Sequence, residues 1–240
     1  MKLIITFHSL DNSGNILSYP TELFHQLLES LSESNIPILS LEQLLLDSTP
    51  RGVSLTFDDG MQSLYYSLLP LMRSHQFPAH LFLTTASVGR NNMWSSQPKQ
   101  AALYDMLTWQ QLEDMQTAGL LIDAHSHSHH YLTSLDRQQL VDECCQCNEI
   151  IENRLGQRPR YFAYPYGDYN GPVSEYVKTL YKACVTTKLS YLSPMSDVHL
   201  LPRVDSYYLQ NRMLLTRLGT PLCRSYIGIR NILRMVKGSQ

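Results

Sequence analysis

Two acidic residues stand side by side at Asp58 and Asp59, at the end of the apolar run Val53–Phe57 and directly before Gly60. A carboxylate pair can supply a base and an anionic ligand to one site, provided both side chains point the same way. Neighbouring residues of an extended strand point to opposite faces. The pair therefore serves one site only if the strand ends there, and Gly60 gives the chain the freedom to turn. Taken alone, the segment reads equally well as a polar loop with two acids. About 65 residues further on, four of the nine histidines fall within the six positions 125–130. His125 and His129 are four apart, so a helical turn or tight loop can present both imidazoles to one metal ion. With Asp59 they make a set of two nitrogen donors and one oxygen donor. His127 and His130 read as loop residues or as partners of the ligands.

The elements that must position these groups are short strands. Val53–Phe57 is rich in β-branched and aromatic residues and closes on a glycine. Leu120–Ile122 is a brief apolar run before the histidine cluster, and Leu3–Phe7 delivers His8 to a strand end. Further strands are expected at Ile38–Ser40, Ala79–Thr84 and Ala183–Thr187, and a last one ends at Arg203. Helices are expected at 21–34, 41–47, 62–75, 108–118, 136–155 and 172–181. Strands alternating with helices imply a parallel sheet. Residues 86–107, with Gly89, Trp94 and Pro98, form a connection longer than usual and a candidate substrate rim. Functional carboxylates at the carboxyl ends of parallel strands are where α/β enzymes place their chemistry.

Three segments together resemble the polysaccharide deacetylase family, the NodB-homology domain of carbohydrate esterase family four. Thr56-Phe57-Asp58-Asp59-Gly60 is similar to its first motif and His125-Ser126 with His129 to its second. Tyr161-Phe162-Ala163-Tyr164-Pro165-Tyr166-Gly167 is similar to its third. The likeness runs from about residue 50 to about residue 205. It implies a distorted (β/α)7-type barrel, with Asp58 as catalytic base and Asp59, His125 and His129 as ligands of a divalent metal, zinc by the donor set. It also implies that the backbone N–H of Tyr166, beside Pro165, helps hold the oxyanion. Trp94, Tyr164, Tyr166 and Tyr169 are candidates to stack on a sugar ring.

The departures from that pattern are specific. The arginine that the family's third motif usually carries is replaced by Ala163, and no Asp-x-x-x-Trp motif follows, the tryptophans being Trp94 and Trp109. A late Leu-x-x-His is also missing; His199 reads as part of a connecting segment. Leu3–His8 offers the same pattern shifted by two residues. It resembles the poly-N-acetylglucosamine deacetylase branch, in which the last barrel strand and its histidine come first in the chain. That resemblance implies a circularly permuted barrel with His8 as general acid. Arg203 is the expected substitute for the missing arginine, orienting Asp58.

A chain of 240 residues with 43% hydrophobic and 17% charged residues suits one α/β barrel and not a disordered chain. The expected division is a barrel over 1–205 and a basic helical segment over 206–240. From Arg203 onward seven basic residues accompany one acid, Asp205. Within Tyr226–Val236 apolar residues alternate with Arg230 and Arg234. This pattern fits either a helix closing on the barrel or an amphipathic helix in peripheral contact with an anionic membrane face. The rest of the chain is acidic in balance and carries no nucleic-acid-binding motif. Five cysteines without a second pair near Cys144, Cys145 and Cys147 read as free thiols. They, and an opening segment unlike a signal peptide, lead to an expected cytoplasmic location, with the inner membrane face as the place of any peripheral contact. The expected activity is metal-dependent removal of acetyl from an N-acetylated glycan. Hydrolysis of another non-peptide amide, or a catalytically weak glycan-binding subunit, are the alternatives.

Overall fold

Short apolar runs separated by helices give strands that pair side by side in parallel, and seven of them close on themselves. The computed structural model describes residues 1–97 and 101–236; Pro98 of the expected rim and Lys237 of the basic segment lie outside them. The strands are β1 (Lys2–Phe7), β4 (Gly52–Asp59), β5 (Ala79–Leu83), β6 (Leu120–Ala124), β7 (Tyr161–Ala163), β8 (Ala183–Leu189) and β9 (Leu201–Asp205). They form a closed barrel in that order, and β1 completes it by pairing with β4 on one side and β9 on the other. A two-residue pair, β2 (Ser9–Leu10) and β3 (Ser18–Tyr19), sits beyond β1.

Alternation along each strand sorts the residues into two layers. Leu3, Ile5 and Phe7 of β1, with Val53, Leu55 and Phe57 of β4, face outward and pack in one cluster with Phe24, Leu27 and Leu31 of α1 (Thr21–Glu33). Ile4, Phe82, Tyr161, Val185 and Leu201 form a smaller inner cluster. The short helix α2 (Leu41–Leu45) inserts Leu41 and Leu44 into this inner cluster. Because the Lys2 ammonium donates to Leu46 O, α2 plugs the barrel at the amino ends of its strands. At the other end the interior is polar, with Thr6, Thr56, Asp58 and Arg203 all buried. The site therefore lies at the carboxyl end of the strands.

The outer layer holds α3 (Ser63–Ser67), α4 (Leu69–His75), α5 (Trp109–Thr117), α6 (Arg137–Leu155) and α7 (Gly171–Val177). The single helix expected over 62–75 is two, because Pro70 lacks the N–H that would continue the α3 ladder. The strand expected at Ile38–Ser40 is reduced to one bridge, Ile38 to Val53. Beyond β9 follow α8 (Arg212–Leu215) and α9 (Pro221–Val236). Helix α9 packs against β8 and buries Cys223 and Ile227. Arg234 donates to Thr187 O at 3.1 Å and the Arg230 guanidinium lies 5.2 Å from the Tyr208 ring centre, while Leu222, Ile229, Ile232 and Val236 are exposed. Two arginines thus turn toward the protein and an apolar stripe turns outward. No described helix is long and apolar enough to cross a membrane.

Candidate active site

Asp58 is the inward-facing residue at the end of β4, in step with Thr56. In a continuing strand Asp59 would point out of the barrel. Its φ of 72° instead turns it back, one residue earlier than the Gly60 turn (φ 100°) that the sequence suggests. Three more left-handed residues, Ser126 (φ 62°), His129 (φ 59°) and Tyr166 (φ 59°), sit in the second and third motifs. The other described non-glycine residues with positive φ, Asn35 and Gln76, follow helix ends. Such a backbone costs about 1–2 kcal/mol per residue and persists where surrounding structure enforces it. Strain is concentrated where side chains must converge.

They converge on one point. Asp59 Oδ1 lies 3.5 Å from His125 Nε2 and 3.3 Å from His129 Nε2, and the two Nε2 atoms are 3.2 Å apart. All three residues are buried, and Asp59 Oδ1 has no hydrogen-bond partner. A tetrahedral ion with ligand distances of about 2.0–2.1 Å separates its donors by about 3.3–3.4 Å. The observed triangle has that size. The ring of His125 is fixed by Nδ1–H donating to Ala163 O at 2.7 Å, which leaves the Nε2 lone pair aimed at the centre. Burial opposes charge on Asp59, but the adjacent His125 and His129 imidazoles outweigh it and hold the carboxyl well below the usual range. Burial keeps His129 below its ordinary value, as a neutral ligand requires, while the neighbouring carboxylates outweigh burial at His125 and raise it. Metal binding needs the Nε2 atoms of both histidines unprotonated. The residues fit a divalent metal.

Asp58 stands off this triangle and is held by Arg203. The Asp58 carboxylate accepts two parallel bonds, Nη1 to Oδ1 and Nη2 to Oδ2, each 2.7 Å long. The guanidinium is itself satisfied, Nε donating to Thr186 O at 3.1 Å and Nη1 to Thr6 Oγ1 at 2.9 Å. Burial pushes the Asp58 carboxyl up, yet the charge and hydrogen bonds of Arg203 outweigh burial and leave it below the ordinary value. Arg203 thus reaches Asp58 from β9.

A cavity of about 250 Å³ opens over these groups and is lined by His8, Trp94, Tyr166, Asp58, Asp59 and both histidines, among others. Trp94 lies 4.4 Å from the His129 ring and donates Nε1–H to the Tyr166 hydroxyl at 3.0 Å, so the long 86–107 connection does reach the site. Tyr166 is held further by Ser96 and by stacking on Tyr131 at 4.1 Å. Pro165 is buried in the turn beneath Tyr166 and is not part of the cavity wall. Tyr164 lines the cavity; Tyr169 does not, and lies 5.4 Å from the Tyr164 ring. His127 bonds Thr85 and His130 approaches Ser95, in keeping with supporting roles. His199 lies against Tyr181 O at 3.2 Å, away from the cavity. Thr6, Ser96 and Tyr131 carried no signal in the sequence, since a hydroxyl or ring on a strand or loop is unremarkable until its partner is known.

The comparisons with known proteins agree with this geometry. Residues 46–184 match the polysaccharide deacetylase family model. A putative polysaccharide deacetylase, YxkH of Bacillus subtilis (strain 168), is 27% identical over 208 residues, covering 84% of this chain and 70% of the relative. The poly-beta-1,6-N-acetyl-D-glucosamine N-deacetylase of Staphylococcus aureus (strain MRSA252) is 24% identical over 217 residues, covering 83% of this chain and 71% of the relative. The chain spans 27% of the Escherichia coli (strain K12) protein of that same name. In fold, IcaB from Ammonifex degensii superposes with a TM-score of 0.74 at 21% identity, over 90% of this chain and 97% of the other.

Proposed function

The chain belongs to the polysaccharide deacetylase family, and from that membership and its site we propose that it hydrolyses the acetamide of an N-acetylated sugar in a polysaccharide or glycan precursor. The observation that carries the reading is the pairing of two unlike carboxylates, Asp59 inside a three-donor triangle and Asp58 outside it, gripped by Arg203. Asp59, His125 and His129 would hold a divalent ion, zinc on this donor set, which would supply polarisation of the acetyl carbonyl and a water of lowered pKa.

The chain's own residues do the rest. Asp58 accepts the proton of the attacking water; each of its oxygens keeps a lone pair beyond the one given to Arg203. Arg203 fixes the carboxylate plane and keeps it ionised. The left-handed turn at Tyr166 brings its backbone N–H toward the tetrahedral oxyanion. Trp94 and the Tyr166 ring form an apolar wall beside His129 that excludes water from the acetyl group. His8, which also lines the cavity, donates a proton to the departing nitrogen, so that acetate and a free amine leave. The Arg203–Asp58 pair supports an enzyme over a weak glycan-binding subunit, since a binder has no use for an oriented base. Five unpaired cysteines support a reducing, cytoplasmic setting for the same proposal.

The test is acetate release from a panel of N-acetylated glucosamine oligomers, with added zinc and with a chelator. Asp58→Asn is expected to bind zinc with unchanged stoichiometry and to lose about 10²–10⁴-fold in turnover, the usual worth of a positioned base. Near-normal turnover in that variant, or none in the parent with any oligomer, would sink the reading.

A further inference from the structure

Helix α9 turns Arg230 and Arg234, one helical turn apart, into a second cleft of about 470 Å³. This cleft shares His8, Ile16, Leu17 and Asp205 with the catalytic cavity, so the two are continuous. Arg230 is poorly satisfied within the protein. Its Nε is buried without a hydrogen-bond partner, and its guanidinium rests on the Tyr208 ring. Arg234 gives Nη1 to Thr187 O and has donors to spare. Among the described residues no carboxylate lies within salt-bridge distance of either guanidinium; Asp205, on the shared wall, accepts from Tyr207 N–H instead. A buried guanidinium N–H left unpaired is costly, and a fork of such donors matches an oxyanion.

We propose that this cleft is an anion subsite, which takes a phosphoryl or carboxylate group carried by the glycan next to the sugar being deacetylated. The inference rests on the deacetylase reading and narrows its substrate to an anionic glycan. The aromatic floor of Tyr208 and the apolar Ile16, Leu17 and Leu233 accept the sugar ring between the two sites, while Arg230 and Arg234 close on its charged substituent.

Three substrates decide it: a neutral N-acetylglucosamine oligomer, the same oligomer bearing a reducing-end phosphate monoester, and one with a terminal uronate. The wild-type kcat/KM is expected to be about tenfold or more higher for an anionic oligomer than for the neutral one. Arg230→Gln, which breaks no hydrogen bond seen within the protein, and Arg230→Gln/Arg234→Gln are expected to remove that preference and leave the neutral oligomer's turnover near wild type. Arg230→Lys is expected to restore part of it, since charge remains and the fork is lost. Which oligomer is preferred identifies the phosphoryl or the carboxylate source. Calorimetric titration with the phosphorylated oligomer gives a readout apart from catalysis. If no oligomer is deacetylated but this binding still weakens in the double variant, the deacetylase reading fails and the subsite stands. Equal kcat/KM for all three, or an anionic preference unchanged in the double variant, overturns the subsite.

Discussion

Arg203 is the residue on which the chemistry turns, because it decides the charge of Asp58. Both side chains are almost fully buried, and two parallel bonds between them, with further bonds from the guanidinium to Thr186 O and Thr6 Oγ1, offset the cost of burying the charges. Arg203→Met would strand a buried carboxylate. We expect about 3–5 kcal/mol of lost stability at pH 7, measured by denaturant unfolding of the chelator-treated protein. The pH dependence carries its own signature. The folded-state pKa of Asp58 is depressed, so its contribution to stability is present above the unfolded value of about 4 and is lost as pH falls through the folded value. In Arg203→Met that pKa rises, so the acid-side loss of stability contributed by Asp58 disappears and the acidic limb of kcat/KM moves to higher pH. A limb that stays in place would separate Arg203 from the base.

His8 makes the second residue-scale prediction. It lines the cavity with Asp58 and Asp59 and has no part in the donor triangle. His8→Ala is expected to keep full metal occupancy and to lose most turnover on an acetamide. On an activated aryl acetate, whose leaving group departs without a proton, the loss should be much smaller. Equal losses on both substrates count against His8 as the acid.

The elements contribute by ending where they do. β4 stops in a left-handed Asp59 and β6 leads into a loop with left-handed Ser126 and His129, so the side chains of Asp59, His125 and His129 meet. The turn Pro165–Gly167 after β7 does the same for Tyr166. Gly167 has φ 70°, and a Cβ there would sit 2.1 Å from Thr187 Oγ1 of β8. Gly167→Ala is expected to cost about 2 kcal/mol or more through left-handed strain and this clash, read as a lowered denaturation midpoint. Thr187 and Tyr166 both line the cavity, so KM should rise as well. Unchanged stability and KM would show that the turn is not under the constraint drawn here.

The whole molecule depends on closure by its first strand. β1 pairs on both edges, and Leu3, Ile4, Ile5 and Phe7 are fully buried on the two faces. Four such side chains at about 1.5–3 kcal/mol each rival the whole stability of an ordinary domain, about 5–15 kcal/mol. Deleting Met1–His8 is therefore expected to abolish cooperative unfolding, followed by circular dichroism, and not merely to remove the proposed general acid His8. A truncated chain that melts cooperatively would mean that the barrel tolerates an open edge.

Much of this was already written in local sequence. Short apolar runs closed by turn residues mark most of the strands, and Asp58, Asp59, His125 and His129 stand out because their types and spacing suit a metal site and a base. Their order also gave the family resemblance, which the family model bears out over residues 46–184. The sequence pointed to Arg203 as a substitute for the position held by Ala163, but a bidentate grip across 145 residues of chain is a fact of barrel register, set by β9 lying against β1 and β1 against β4. The sequence points to Gly60 for the turn that Asp59 already makes, because a left-handed aspartate has no local sign and exists only where convergence enforces it. The orientation of α9 was likewise hidden. Periodicity shows that apolar and basic residues occupy different faces, yet only packing against β8 decides which face turns inward.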